Sequence, residues 1–156
     1  MKRWVITGLV LSFFVSMPVS AQTSTAPYPK AVMDMVARAK EKITRIDMKE
    51  FKKRLDHDKP LVIDVRERDE FAAGHVPGAI NIPRGVIEFR IWPYVGYPEK
   101  TDMNKRVYLY CGSGSRCSLA AKSLQDLGFI NVEAVDMTFE DWEAAGYPVT
   151  EPEFPE

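Results

Sequence analysis

The stretch Val107-Tyr-Leu-Tyr-Cys111-Gly-Ser-Gly-Ser-Arg116 decides how this chain reads. Its first four residues are apolar or aromatic and suit a short buried strand that delivers Cys111. From residue 115 to 127 a helical pattern follows, with Leu119, Ala120, Leu124 and Leu127 expected to face inward and Gly128 to stop it. A cysteine therefore stands at the carboxyl end of a strand, where open parallel sheets bind their ligands. The four residues after it are all small. Gly112 and Gly114 let the backbone curl so that successive N–H groups converge on one centre, and Ser113 and Ser115 leave that centre open. The positive end of the helix and the charge of Arg116 add to this field. Each contribution favours thiolate over thiol, so the pKa of Cys111 should fall. Such a thiolate can attack sulfur, and the same nest can hold a negative persulfide. No histidine neighbours the cysteine, and the reaction needs no general base. The plain alternative is an inert buried thiol, which does not account for the glycines, serines and arginine around it.

Outward from this loop, short strands and helices alternate. Residues 43–46 read as a strand, and Asp47 with Glu50 three residues on reads as the start of a helix through Leu55. Residues 61–66 are a β-branched buried strand, and 68–73 a short helix ended by Gly74. Residues 79–82 form a further strand closed by Pro83, and 85–91 a helical turn or two. The last strand spans 132–135 and the last helix 138–145. Alternation of this kind predicts a mainly parallel sheet covered on both faces. An amphipathic helix over 31–42, with Val32, Met35, Val36 and Ala39 as its apolar stripe, should pack on the body of the domain.

The chain begins with Lys2 and Arg3, an apolar run from Trp4 to Val15, and Val19-Ser20-Ala21. That is the layout of a secretory signal peptide over residues 1–21, too short for a comfortable membrane span. The mature protein is expected to start at Gln22 in the periplasm, with no membrane attachment once the leader is gone. Residues 22–42 then form a linker and N-terminal helix, and 43–152 a single domain. Charge is nearly balanced, with 21 basic and 22 acidic side chains, so nothing points to nucleic acid. Two cysteines six residues apart would close a trivial loop as a disulfide, so reactivity is the better reading for at least one. Cys117 reads as a core-facing thiol turned away from the nest, or else as a resolving thiol.

The loop resembles the active-site loop of the rhodanese family, in which a cysteine is followed after four intervening residues by arginine, with glycine at the fourth position. Upstream, Leu61-Val-Ile-Asp-Val-Arg-Glu-Arg-Asp-Glu-Phe-Ala-Ala-Gly-His-Val-Pro-Gly-Ala-Ile-Asn-Ile-Pro83 is similar to that family's two N-terminal signatures. The likeness extends over about residues 43–149. It implies an α/β rhodanese domain, a five-stranded parallel sheet between helices, here with an N-terminal helical extension. It also implies that Cys111 is the nucleophile and that Gly112, Ser113, Gly114, Ser115 and Arg116 cradle the anion. Thiosulfate or a similar donor would load Cys111, and cyanide, a small thiol or a protein thiol would accept the sulfur. No cofactor and no metal are expected, since the two histidines and two cysteines do not match a zinc site. Where the family often has a glycine pair before its final helix, this chain has Val135-Asp136-Met137-Thr138, and Thr138 or Asp136 is expected to cap that helix.

Other residues receive structural readings. His75 should belong to a loop, His57 to solvent, and Asp64 with Arg66 to a bracing ion pair. Residues 91–98, aromatic and proline-rich, should cover the core. Three other functions compete. A cysteine phosphatase would place five residues between cysteine and arginine and supply an acid for the leaving alkoxide. A thiol-redox module would use Cys111 with Cys117. A silent scaffold would not need the cysteine.

Overall fold

The computed structural model describes residues 28–150, so the expected signal peptide, most of the linker and residues 151–152 lie outside the described residues. Five strands form one sheet: β1 (Thr44–Asp47), β2 (Leu61–Asp64), β3 (Ile80–Asn81), β4 (Val107–Tyr110) and β5 (Val132–Asp136). Their order across the sheet is β1-β5-β4-β2-β3, and every pairing is parallel. The helices are α1 (Lys30–Lys40), α2 (Met48–His57), α3 (Arg68–Ala72), α4 (Ile87–Arg90), α5 (Ser115–Asp126) and α6 (Phe139–Ala144). Strand β4 lies in the middle and is buried along its whole length, so the loop that follows it opens at the centre of the sheet's carboxyl edge.

Two apolar layers sandwich the sheet. On one face Ile63, Leu109, Ala134 and Cys111 meet Ala120, Ala121 and Leu124 of α5, with Ile87, Ile91 and Val95 alongside. On the other, Val62, Tyr108, Tyr110 and Val135 meet Phe51 of α2 and Trp142 of α6. Alternate residues of β4 thus feed opposite layers, as a strand's period of two requires. Residues 91–98 do cover the core: Trp92 packs on Phe129, and Ile91 and Val95 are buried.

Most elements fall where the pattern puts them, and the differences have physical causes. Strand β2 stops at Asp64 rather than at 66 because the Asp64 carboxylate takes the Arg66 N–H at 2.9 Å. Strand β3 keeps only two residues, although the Ile82 N–H still reaches the Asp64 carbonyl. The segment expected as helix over 85–91 divides into a 3-10 turn, Arg84–Val86, and α4, and a second 3-10 turn follows at Trp92–Val95. Leu127 lies at the end of α5 and is exposed, and Leu119 is only half-buried. On α1 the buried residues are Val36 and Ala39, while Val32 and Met35 face outward. Both helix starts behave as expected. Asp47 accepts the Glu50 N–H, and Thr138 forms a reciprocal capping box with Asp141 in place of the family's glycines. Asp136 instead pairs with Arg45.

Candidate active site

The geometry of the site starts with the turn after β4. Gly114 takes φ +74° as the residue before α5, a left-handed conformation that a side chain would strain. It offers no side-chain cap, so the first-turn N–H groups of α5 are left to the Cys111 sulfur and to an anion beside it. Ser118 fixes the turn from behind, its buried hydroxyl donating to the Gly114 carbonyl at 2.6 Å. Gly112 is small for a separate reason. A Cβ there would stand 3.2 Å from Arg116 Nη2 and 3.7 Å from Glu70 Oε1.

Cys111 is fully buried at the bottom of this loop. Its sulfur accepts the Cys117 N–H at 3.4 Å. The thiol is held down to about 6, chiefly by a hydrogen bond from the Cys117 side chain. Backbone N–H groups of Cys117 and Ser113 and the charge of Arg116 assist, against the opposing effect of burial. Hydrogen bonds to sulfur come first among these causes and the arginine charge last.

Two residues take parts that the sequence reading did not give them. Glu70, on α3, grips Arg116 with both oxygens, at 2.5 and 2.8 Å. This pair holds the Glu70 carboxyl down at about 2 and raises Arg116 further above its usual range. The two donor arms proposed for an anion are thus occupied by a carboxylate. The only sign of Glu70 in the sequence was its place in the quoted signature, which carried no role. Cys117 is the other. It is a core residue, as read, but its N–H donates to Cys111 Sγ, while its thiol reaches the Val135 carbonyl at 3.8 Å. The neighbouring Cys111 and burial push its own pKa up. Side-chain direction on the first turn of a helix depends on the turn before it, which the sequence did not define.

Asp64 and Arg66 are buried, at 0% and 5% exposure, and brace the site's flank. Arg66 binds the Asp64 carboxylate at 2.6 Å and donates to the Gly74 carbonyl at 2.6 Å, and its guanidinium lies 4.0 Å above the Phe139 ring. Removing one partner would strand a buried charge, so Arg66→Met should lower stability by about 3–5 kcal/mol. A urea midpoint unchanged from the parent would contradict that. His75 is structural, its ring stacked on Phe71 at 3.7 Å, and His57 is exposed.

Two clefts flank the loop. One of about 280 Å³ lies between Arg66, Glu70, Gly112 and Phe139. The other, about 460 Å³, has Tyr28, Val32 and Val36 from the N-terminal segment on one side, and Ser113, Ser115, Arg116 and Leu119 on the other. The N-terminal helix thereby forms a wall beside the loop that follows Cys111.

The chain matches the rhodanese-like domain family over residues 47–145, and it belongs to that family. It is 34% identical over 101 residues to YrkF of Bacillus subtilis, which bears the provisional name of a sulfur carrier protein; the match covers 64% of this chain and 51% of YrkF. It is 32% identical over 100 residues to the thiosulfate:glutathione sulfurtransferase of Saccharomyces cerevisiae, covering 58% of this chain and 70% of the yeast protein. Among solved structures it resembles a Rhodopseudomonas palustris protein of unknown function, suggested to be a tyrosine phosphatase. That likeness has a TM-score of 0.65 and 28% identity, and covers 86% of this chain and all of the other. The chain spans about half the length of YrkF.

The low pKa has a direct consequence. Alkylation of Cys111 requires thiolate, so its rate should rise with pH through about 6 and level off above it. An ordinary thiol would still be gaining rate above about pH 8. Iodoacetamide labelling followed by peptide mass mapping gives the profile, and a midpoint near the ordinary value would refute the nest argument.

Proposed function

We propose that this protein is a sulfurtransferase that carries sulfane sulfur as a persulfide on Cys111. The observation that supports this best is Cys111 itself, buried at the end of β4, its sulfur accepting the Cys117 N–H, its thiol held down to about 6, and no base beside it. In the first half-reaction the thiolate attacks the outer sulfur of thiosulfate. The S–S bond of the donor breaks, and sulfite leaves with its electron pair. The persulfide stays in the loop, where the free N–H groups of the α5 terminus balance its charge. In the second half-reaction a thiophile attacks the terminal sulfur and returns Cys111 as thiolate. Cyanide and a small thiol such as glutathione are the acceptors to test first, the latter because the yeast relative is named for it. The clefts beside the loop give them access.

A phosphatase reading finds less support. Four residues, not five, separate Cys111 from Arg116. Glu70, the carboxylate beside the loop, is held ionised by Arg116 and has no proton to give a leaving alkoxide. A screen of thiosulfate and organic persulfide donors against cyanide and thiols, with an aryl phosphate in parallel, decides between them. Sulfur transfer without phosphate release is the expected result, and the reverse would overturn the proposal. We also propose export to the periplasm with cleavage before Gln22; recovery of full-length chain from the cytoplasm would refute it.

A further inference from the structure

The transfer cycle uses Cys117 only to hold the Cys111 thiol down, never as a reactant. Cys117 has no exposed surface, and it forms no disulfide with Cys111. Its N–H lies 3.4 Å from Cys111 Sγ, and its thiol, packed in the same buried cluster, reaches the Val135 carbonyl at 3.8 Å. That carbonyl is a distant acceptor and does not hold the thiol back. A bridge between the two would close too short a loop to stabilise the fold appreciably, so a staple does not explain the pair. The Cys117 N–H lies on Cys111 Sγ itself, the atom that becomes the inner sulfur of a persulfide.

We infer that the sulfur-loaded protein has a second activity when no acceptor is present: Cys117 attacks Cys111 Sγ, expels the outer sulfur as hydrosulfide, and leaves a Cys111–Cys117 disulfide. This rests on the sulfurtransferase reading above. The bond from Cys111 Sγ to the outer sulfur breaks, and its electron pair departs with that sulfur. A bond from Cys117 Sγ to Cys111 Sγ forms, and the Cys117 proton accompanies the hydrosulfide. The sulfane sulfur is reduced by two electrons, which the two cysteine sulfurs supply, so no outside oxidant enters. An external dithiol then restores both thiols by exchange. Because Cys111 and burial keep the Cys117 proton in place, the attack is slow near neutrality and an available acceptor wins. The protein thereby releases sulfide from a stranded persulfide and marks its own unloaded, oxidised state.

The test loads the full chain with thiosulfate without oxygen, removes the excess, and incubates it with no acceptor at about pH 7 and about pH 9. Sulfide is assayed, and intact mass is read without reductant. The expected course is about one sulfide per chain, loss of the sulfur adduct, and a final mass about 2 Da below the reduced protein. Release should be at least about tenfold faster at the higher pH. Cys117→Ser should load more slowly, lacking the thiol donor, but then keep its adduct and release no sulfide. Cys117→Ala should do the same. Parent protein that keeps its adduct as long as the two variants overturns this inference and leaves the transfer reading intact. Absence of any adduct at the start overturns the transfer reading, and this inference with it.

Discussion

Cys111→Ser is expected to lower thiosulfate:cyanide transfer by at least about a thousandfold while leaving the fold intact. Serine is close in shape to cysteine, so the fully enclosed site suffers little change in packing. Its oxygen, however, cannot form a persulfide, and its proton would not be released near pH 6 by hydrogen bonds that suffice for sulfur. Circular dichroism and the urea midpoint should match the parent, which separates lost chemistry from lost structure. Activity within about tenfold of the parent would remove Cys111 from the nucleophile's role.

The second large effect concerns Arg116 and Glu70. A lone Arg116 would serve as an anchor for a dianionic donor, and its removal would weaken donor use by about 2–4 kcal/mol. With Glu70 gripping both arms, the consequence changes in kind. Arg116→Ala leaves an ionised carboxylate beside Gly112, facing the place where thiosulfate and the Cys111 thiolate must both be negative. Donor kcat/KM should fall by about a hundredfold to a thousandfold, and the alkylation profile of Cys111 should move to higher pH. Arg116→Lys should fall between, since an ammonium cannot reproduce the paired fork. Adding Glu70→Gln to Arg116→Ala should recover about tenfold or more, because it deletes the exposed anion. Discharge of a preformed persulfide to cyanide should suffer less, as no dianion binds in that step. Stopped-flow measurement of the two half-reactions provides these numbers. A double variant worse than Arg116→Ala alone would mean that the ion pair chiefly shapes the loop.

The fold was legible because three local signals agreed. A wholly buried strand at 107–110, a glycine-bearing turn and a patterned helix fix one strand-turn-helix unit. The β-branched run at Leu61–Asp64 then supplies its neighbour in the sheet. Less legible were features decided by contacts distant in sequence. The bond from Glu70 to Arg116 crosses 46 positions, and nothing in the local pattern at either residue demands it. Cys117 was assigned to the core, yet its closeness to Cys111 follows from how the loop curls and how β5 lies beside it. Leu119 looked like a core residue from spacing alone. It is half-exposed because one side of α5 meets α1 and the cleft beside Ser113 and Arg116 instead of the sheet. The cap of α6 shows the reverse case. Thr138 was one of two caps read from the missing glycines, and Asp141 three residues on completes a box that the reading did not name.

The central claim is that sulfur travels on Cys111. Protein with both thiols reduced should be exposed to thiosulfate without oxygen, freed of the excess and weighed intact at once, before any slower discharge. The account predicts a gain of one sulfur atom, about 32 Da, mapped to the Cys111 peptide and removed by cyanide with release of thiocyanate. An unchanged mass after exposure to thiosulfate and to organic persulfide donors, or an adduct that maps to another residue, would contradict it.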